Sequence, residues 1–130
     1  MVDDPSRTVA RFVAAFDAAD RDEMAASLAP DLVADVTQAD GSVVTLQGNA
    51  AYLAAIDAMD LPSVRPSIRA TQIAPVSEDQ SMVMVEIKAE RKGHHLHNFA
   101  AFLMRVTEGK IVRIWMVDAL PEESDRFWKR

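Results

Sequence analysis

The sequence predicts an α+β domain, and three observations carry that reading. Apolar residues at helical spacing fill the first part of the chain, whereas Val64 to Met116 reads as strands and turns, so helices and antiparallel strands are segregated. With 130 residues, 49% of them hydrophobic, one core can form, and residues 1–130 make a single domain with no room for a second. The stretch "FAAFLM", Phe99 to Met104, lacks apolar–polar alternation, so both its faces must be covered. Helices usually cover only one face of such a sheet. The expected second cover is another copy of the chain, in a homodimer.

Each element has its own signal. Asp4-Pro5 reads as an N-cap followed by proline at the first helical position, and Val9, Phe12, Val13 and Phe16 follow at helical spacing. The first helix is expected over 5–19. Asp20 with Glu23 resembles a capping box and opens a short second helix carrying Met24, Ser27 and Leu28, which stops at Pro30. "LVADVTQADGSVV", Leu32 to Val44, reads as two strands joined at Asp40-Gly41. Asn49 can cap a third helix over 50–59, with Tyr52, Leu53 and Ile56 on one side. Strands are expected at 64–74, 82–91, 95–106 and 111–117, with turns at Ser77–Gln80, Lys92-Gly93 and Glu108–Lys110. Pro121 opens a helical tail, "PEESDRFWKR".

Composition excludes several function classes. The charge balance is 14 basic against 20 acidic residues, net −6, which disfavours nucleic acid as a partner. The basic cluster "KAERKGHH" reads as a solvated hairpin end. No apolar run reaches the roughly 20 residues of a membrane span, so no membrane association is expected. "MVDDPSRTV" does not read as a secretory leader. Cysteine is absent, which removes disulfides and thiolate chemistry, and a cytoplasmic location is expected.

Three stretches carry a family likeness: "RFVAAFDAADRDEMAASLAPDLVADV", "DGSVVTLQGNAAYLAAI" and "FLMRVTEGKIVRIWMVD". With them nearly the whole chain resembles the nuclear transport factor 2-like superfamily, which includes ketosteroid isomerases, SnoaL-like polyketide cyclases and limonene-epoxide hydrolases. The resemblance implies a curved antiparallel sheet wrapped round the N-terminal helices, a cone with one apolar pocket. It also implies dimers through the outer sheet face. Beside ketosteroid isomerases, "LVAD" matches the strand that carries the general base, and Asp35 falls at that position. "RFVAAF" matches the helix of the oxyanion-hole tyrosine, and "AAFLMRV" the strand of the protonated aspartic acid. Phe12 and Phe102 stand at those two positions, and a phenyl ring cannot donate to a developing enolate. The resemblance therefore retains the base and loses the electrophilic half. SnoaL-like cyclases use a carboxylate near the region of Asp118.

The candidate catalytic residues are thus Asp35 and Asp118. Desolvation in an apolar cone would raise the Asp35 pKa above about 3.9 and suit it to act as a base. The alternative for Asp35 is a strand residue facing solvent or bonded to a neighbouring amide. Ile114, Met116 and Asp118 share one strand face, inside the cone by the resemblance. The alternative for Asp118 is an N-terminal cap of the tail helix. Expected ligand-pocket residues are Phe12, Phe16, Tyr52, Ile56, Asn98, Phe102, Ile114 and Met116, with Asn98 or Tyr52 orienting the ligand. Trp115 is expected on the opposite face with Ile111, Arg113 and Val117, at the dimer interface. Phe127 and Trp128 are expected to cover the end of the cone. His95 and His97 share a strand face, but two imidazoles lack a third ligand, so no metal is expected. His94 sits near a turn.

The function expected is cofactor-independent acid/base chemistry, of isomerase, cyclase or lyase type, on a small hydrophobic carbonyl compound. The alternative is a non-catalytic module that binds an apolar molecule or a protein. An epoxide-hydrolase relay ranks last, because Arg113 and Asp118 fall on opposite strand faces.

Overall fold

A computed structural model describes residues 4–128. Helix α1 (Pro5–Asp17) starts as its sequence dictates, with the Asp4 carboxylate accepting the Ser6 N–H at 2.9 Å and Pro5 at the first position. Helix α2 (Arg21–Ala26) is capped by Asp20, which accepts the Glu23 N–H at 3.1 Å. It ends earlier than expected. Strand β1 (Leu28–Thr37) already starts at Leu28 and runs through Pro30. Proline has no N–H for a ladder, and the β1 register shifts between Leu28 and Val33, where Pro30 sits.

Strand β2 (Val43–Gln47) follows the turn at Gly41, whose φ is 85°. Helix α3 (Asn49–Asp57) is capped by Gly48 rather than Asn49, without a side-chain cap bond. A short helix, α4 (Leu61–Val64), is followed by Arg65 with φ 49°, and strand β3 (Ser67–Pro75) begins only after Pro66. Strands β4 (Gln80–Arg91), β5 (His94–Thr107) and β6 (Lys110–Asp118) and helix α5 (Pro121–Trp128) complete the described chain. The last two residues of the expected tail helix lie outside the described residues.

The six strands form one sheet in the order β2-β1-β6-β5-β4-β3. Four of the five pairings are antiparallel, and β1 with β6 is parallel, which corrects the all-antiparallel expectation. The sheet wraps the helices: α1 packs on β3, β4, β5 and β6, and α3 on β1 and β2. Their shared core includes Val9, Phe12, Leu32, Val83, Met104 and Ile114. The register of β5 and β6 shifts between Arg105 and Val106, opposite Val112. This irregularity turns Ile111 into the core, fully buried, although the sequence placed it outside with Trp115.

The outer face is apolar in its middle. Met82, Met84 and Phe99 are exposed there, and Val117 is 63% exposed. Arg113 lies over the Trp115 ring at 4.6 Å and Arg105 over it at 5.9 Å. No described helix is long and apolar enough to cross a membrane.

Candidate functional site

Inside the sheet lies a cavity of about 370 Å³. Its walls are apolar by construction. The C-terminal half of α1 supplies Phe12 and Phe16, α3 supplies Tyr52 and Ile56, and the inner faces of β5 and β6 supply Phe102 and Met116. The mouth is framed by Thr37, Gln38 and Ala39 after β1 and by one face of α5.

Asp118, at the end of β6, lines this cavity and is only 9% exposed. Its Oδ1 accepts two N–H groups, from Asn98 Nδ2 at 2.6 Å and from the Leu120 backbone at 2.9 Å. Its Oδ2 takes no hydrogen bond among the described residues. The Leu120 bond fixes the turn ahead of α5, but it is not the expected cap of that helix, because Leu120 precedes Pro121 and Asp118 accepts no N–H of α5 among the described residues. Tyr52 lines the cavity at 5% exposure, and burial pushes its phenol well above the usual range. Its hydroxyl has no hydrogen-bond partner among the described residues. Thr37 is already engaged, donating to the Met116 carbonyl at 2.9 Å.

Two expected pocket residues lie elsewhere. Asn98 does not line the cavity. It is fully buried behind Asp118, and its Oδ1 accepts the Phe99 N–H at 2.8 Å. Ile114 is fully buried in the core and does not reach the cavity surface.

Asp35 requires the largest correction. It points to the outer face, away from the cavity, because Leu32 and Ala34 take the inward positions of β1. Its side chain is 20% exposed, and Arg113 Nη2 donates to its Oδ2 at 2.7 Å. Thr45 Oγ1 donates to its Oδ1 at 2.6 Å. The Thr45 hydrogen bond, followed by the hydrogen bond and charge of Arg113, outweighs desolvation and holds the carboxyl below its ordinary 3.8. The expected upward shift is therefore reversed. A lowered folded pKa gives stability that is present above 3.8 and lost as the pH falls through the folded value. Asp35→Asn is expected to lower Tm by a few degrees at neutral pH, with the gap to the parent narrowing in acid. Thermal melts from neutral to acid pH check this, and an unchanged Tm at neutral pH would refute it.

The histidines stay outside the cavity. His94 and His95 are exposed, and His97 pairs with Glu86 at 2.7 Å on the outer face. No three His, Cys, Asp or Glu side chains among the described residues cluster to hold a metal ion.

Of the two α5 residues expected at the end of the cone, Trp128 lines the cavity, whereas Phe127 is buried outside it. Pro121, Ser124 and Asp125 also line the cavity and were missed. Their spacing of three and four residues, which puts them on one helix face, was the signal available.

Residues 9–114 match the SnoaL-like domain family. No curated protein matches the sequence. Among solved structures, Bal32a from a soil-derived mobile gene cassette is 15% identical, with 95% of each chain covered and a TM-score of 0.82. IdmH, a putative polyketide cyclase from Streptomyces antibioticus, is 16% identical over 96% of this chain and 99% of its own, with a TM-score of 0.76. RV0760c from Mycobacterium tuberculosis, solved in complex with estradiol-17beta-hemisuccinate, is 21% identical over 87% of this chain and 97% of its own, with a TM-score of 0.71. At these identities the likenesses establish a shared fold, of the nuclear transport factor 2-like kind. The family match spans most of the chain, from α1 into β6, and so this protein belongs to the SnoaL-like domain family.

Proposed function

We propose that the cavity binds a small, hydrophobic carbonyl compound and that Asp118 moves a proton on it, without a cofactor. The observation that carries this reading is a carboxylate with one oxygen clamped and the other unbonded among the described residues, at the wall of a largely apolar cavity. Because both partners of Oδ1 are N–H donors, Oδ1 stays an acceptor whether or not the group is protonated. A proton can then be taken up only on Oδ2. In the step proposed, Oδ2 takes a proton from the carbon beside the ligand carbonyl. The C–H pair moves toward the carbonyl oxygen. In a β,γ-unsaturated ketone the proton returns at the γ-carbon as the double bond moves into conjugation. Where the ligand holds a second carbonyl, the enolate carbon attacks it and the proton goes to the alkoxide formed, closing a ring. Tyr52 and Ser124 supply hydroxyls for orienting a polar group of the ligand. RV0760c was solved with a steroid that carries a succinate carboxylate, and what this supports here is the apolar ring system of the ligand, not its charge.

Phe12 and Phe102 line the cavity without offering a donor, and this favours binding without turnover as the second reading. One experiment separates the two. The ketone 2-tetralone is incubated with the protein in D2O, and deuterium entering beside its carbonyl is followed by NMR. Exchange faster than in buffer supports proton transfer. Binding without exchange leaves the second reading, and a protein that neither binds the ketone nor exchanges its protons removes both.

We also propose a homodimer through the outer sheet face, where Met84, Phe99 and Val117 are exposed. Leu103 lies on that face, paired with Met82 and Trp115. Leu103→Asp places an unpaired charge in the contact and is expected to give monomers in sedimentation at micromolar concentration. A parent protein that sediments as a monomer would contradict the dimer.

A further inference from the structure

We infer that the cavity selects its ligand by charge, taking neutral and cationic molecules and rejecting anions of the same shape. The inference rests on the reading that the cavity holds an apolar ligand, and it adds which members of that class can enter.

Three independent features of the walls point the same way. First, the charged residues that line the cavity among those described are both acids, Asp118 and Asp125, with no lysine, arginine or histidine. Asp118 alone suffices for the argument. Its free Oδ2 offers lone pairs and no proton donor, so an anion beside it meets repulsion in a site poor in water. Second, one helix, α3, ends beside the cavity. Ala55 lies in its last turn, Ala58 is its C-cap and Met59 follows. The C-terminal end of a helix carries partial negative charge, and that of α1 is offset by Arg65 on the Ala18 carbonyl. Third, Phe12, Phe16, Tyr52, Phe102 and Trp128 all line the same space, and aromatic faces attract cations.

The nearby groups that could offset this are committed or neutralised. Arg65 does not line the cavity and donates to the Ala18 carbonyl at 2.7 Å. Arg21 is paired with Asp57 at 2.8 Å. The N-terminus of α5 reaches the mouth through Pro121, but Glu122 and Glu123 occupy its first turn. Tyr52, like Gln38, Ser124 and Trp128, contributes a neutral donor, which an alcohol, a ketone or an anion could each use. These donors therefore do not favour the anion enough to reverse the sign.

A matched set of competitors tests the selection. N-phenyl-1-naphthylamine, an uncharged dye that brightens in apolar sites, is bound first. It is then displaced near neutral pH by 2-naphthylmethanol, 2-naphthylmethylammonium or 2-naphthoate, which share one ring system and differ in charge. The alcohol and the ammonium are expected to displace the dye at similar concentrations, and the naphthoate to need about tenfold more or beyond. Ser124→Lys, on the α5 face that lines the cavity, is expected to bring the naphthoate to within about threefold of the alcohol. Equal displacement by naphthoate and alcohol on the parent overturns charge selection and leaves the ligand-binding reading intact. An unchanged ratio in Ser124→Lys overturns it too, since the discrimination would not then arise from charge at the cavity. Failure of the dye and of all three competitors to bind removes the ligand-binding reading itself, and charge selection with it.

Discussion

Asp118→Asn is expected to slow deuterium exchange into bound 2-tetralone by about 10²–10⁴-fold while leaving the fold in place. The two halves of that result have separate causes. An asparagine carbonyl oxygen can occupy the place of Oδ1 and accept the same two N–H groups, from Asn98 and Leu120. The turn into α5 therefore keeps its anchor, and Tm should stay within about two degrees of the parent. The amide nitrogen then takes the place of Oδ2 and faces the cavity. It carries hydrogens and has no lone pair to accept a proton, so the base is gone while size and packing are retained. Loss of exchange with unchanged stability is the pattern of a functional carboxylate. Exchange as fast in Asp118→Asn as in the parent would mean that the proton goes elsewhere.

The parts of this molecule that could be read from sequence are those fixed by local chemistry. Asp4-Pro5 and the spacing of Val9, Phe12, Val13 and Phe16 specify α1 without reference to any other segment. The period-2 parity that puts Met116 and Asp118 on one face held through the end of β6, because no irregularity interrupts the β5–β6 register after Arg113. The same rule failed at Ile111, on the far side of that irregularity. Pairings set by distant segments were not legible. The parallel contact of β1 with β6 joins residues about eighty apart, and nothing in the local pattern of either strand encodes it. Pro30 looked like a helix stop and instead sits where a ladder hydrogen bond is missing. Asp35 is the instructive case. The alternation Leu32, Ala34, Val36 does give the inward parity of β1 and leaves Asp35 outside, but Val33 and Thr37 blur it. The likeness to an isomerase base outweighed that weak local signal. Asn98 was placed on the correct face but one layer too far forward, since parity says which way a side chain points and not what stands in front of it.

That layer makes Asn98→Leu the other large effect. Asn98 is fully buried at the end of the β5–β6 pairing, whose last aligned pair is Ala100 with Asp118. There its two amide atoms do different jobs. Nδ2 donates to the Asp118 carboxylate at 2.6 Å, and Oδ1 accepts the Phe99 N–H at 2.8 Å. Leucine is of similar size, so little cavity should open, and the cost is that of the two hydrogen bonds lost. One is donated by the Phe99 N–H, and the other is accepted by a carboxylate oxygen that keeps only the Leu120 donor. Each such loss at a buried group costs about 1–3 kcal/mol, more when charged, so Asn98→Leu is expected to destabilise by about 2–5 kcal/mol. A double-mutant cycle separates the two contributions. With Asp118 already replaced by leucine, Asn98→Leu should cost only the Phe99 share, leaving a coupling of about 1–3 kcal/mol between the two positions. Urea denaturation of the four proteins measures it. Additive costs would mean that Asn98 serves only the Phe99 backbone and does not hold Asp118. The carboxylate would then have to keep its aim on the Leu120 amide alone, and exchange in Asn98→Leu should equal that of the parent.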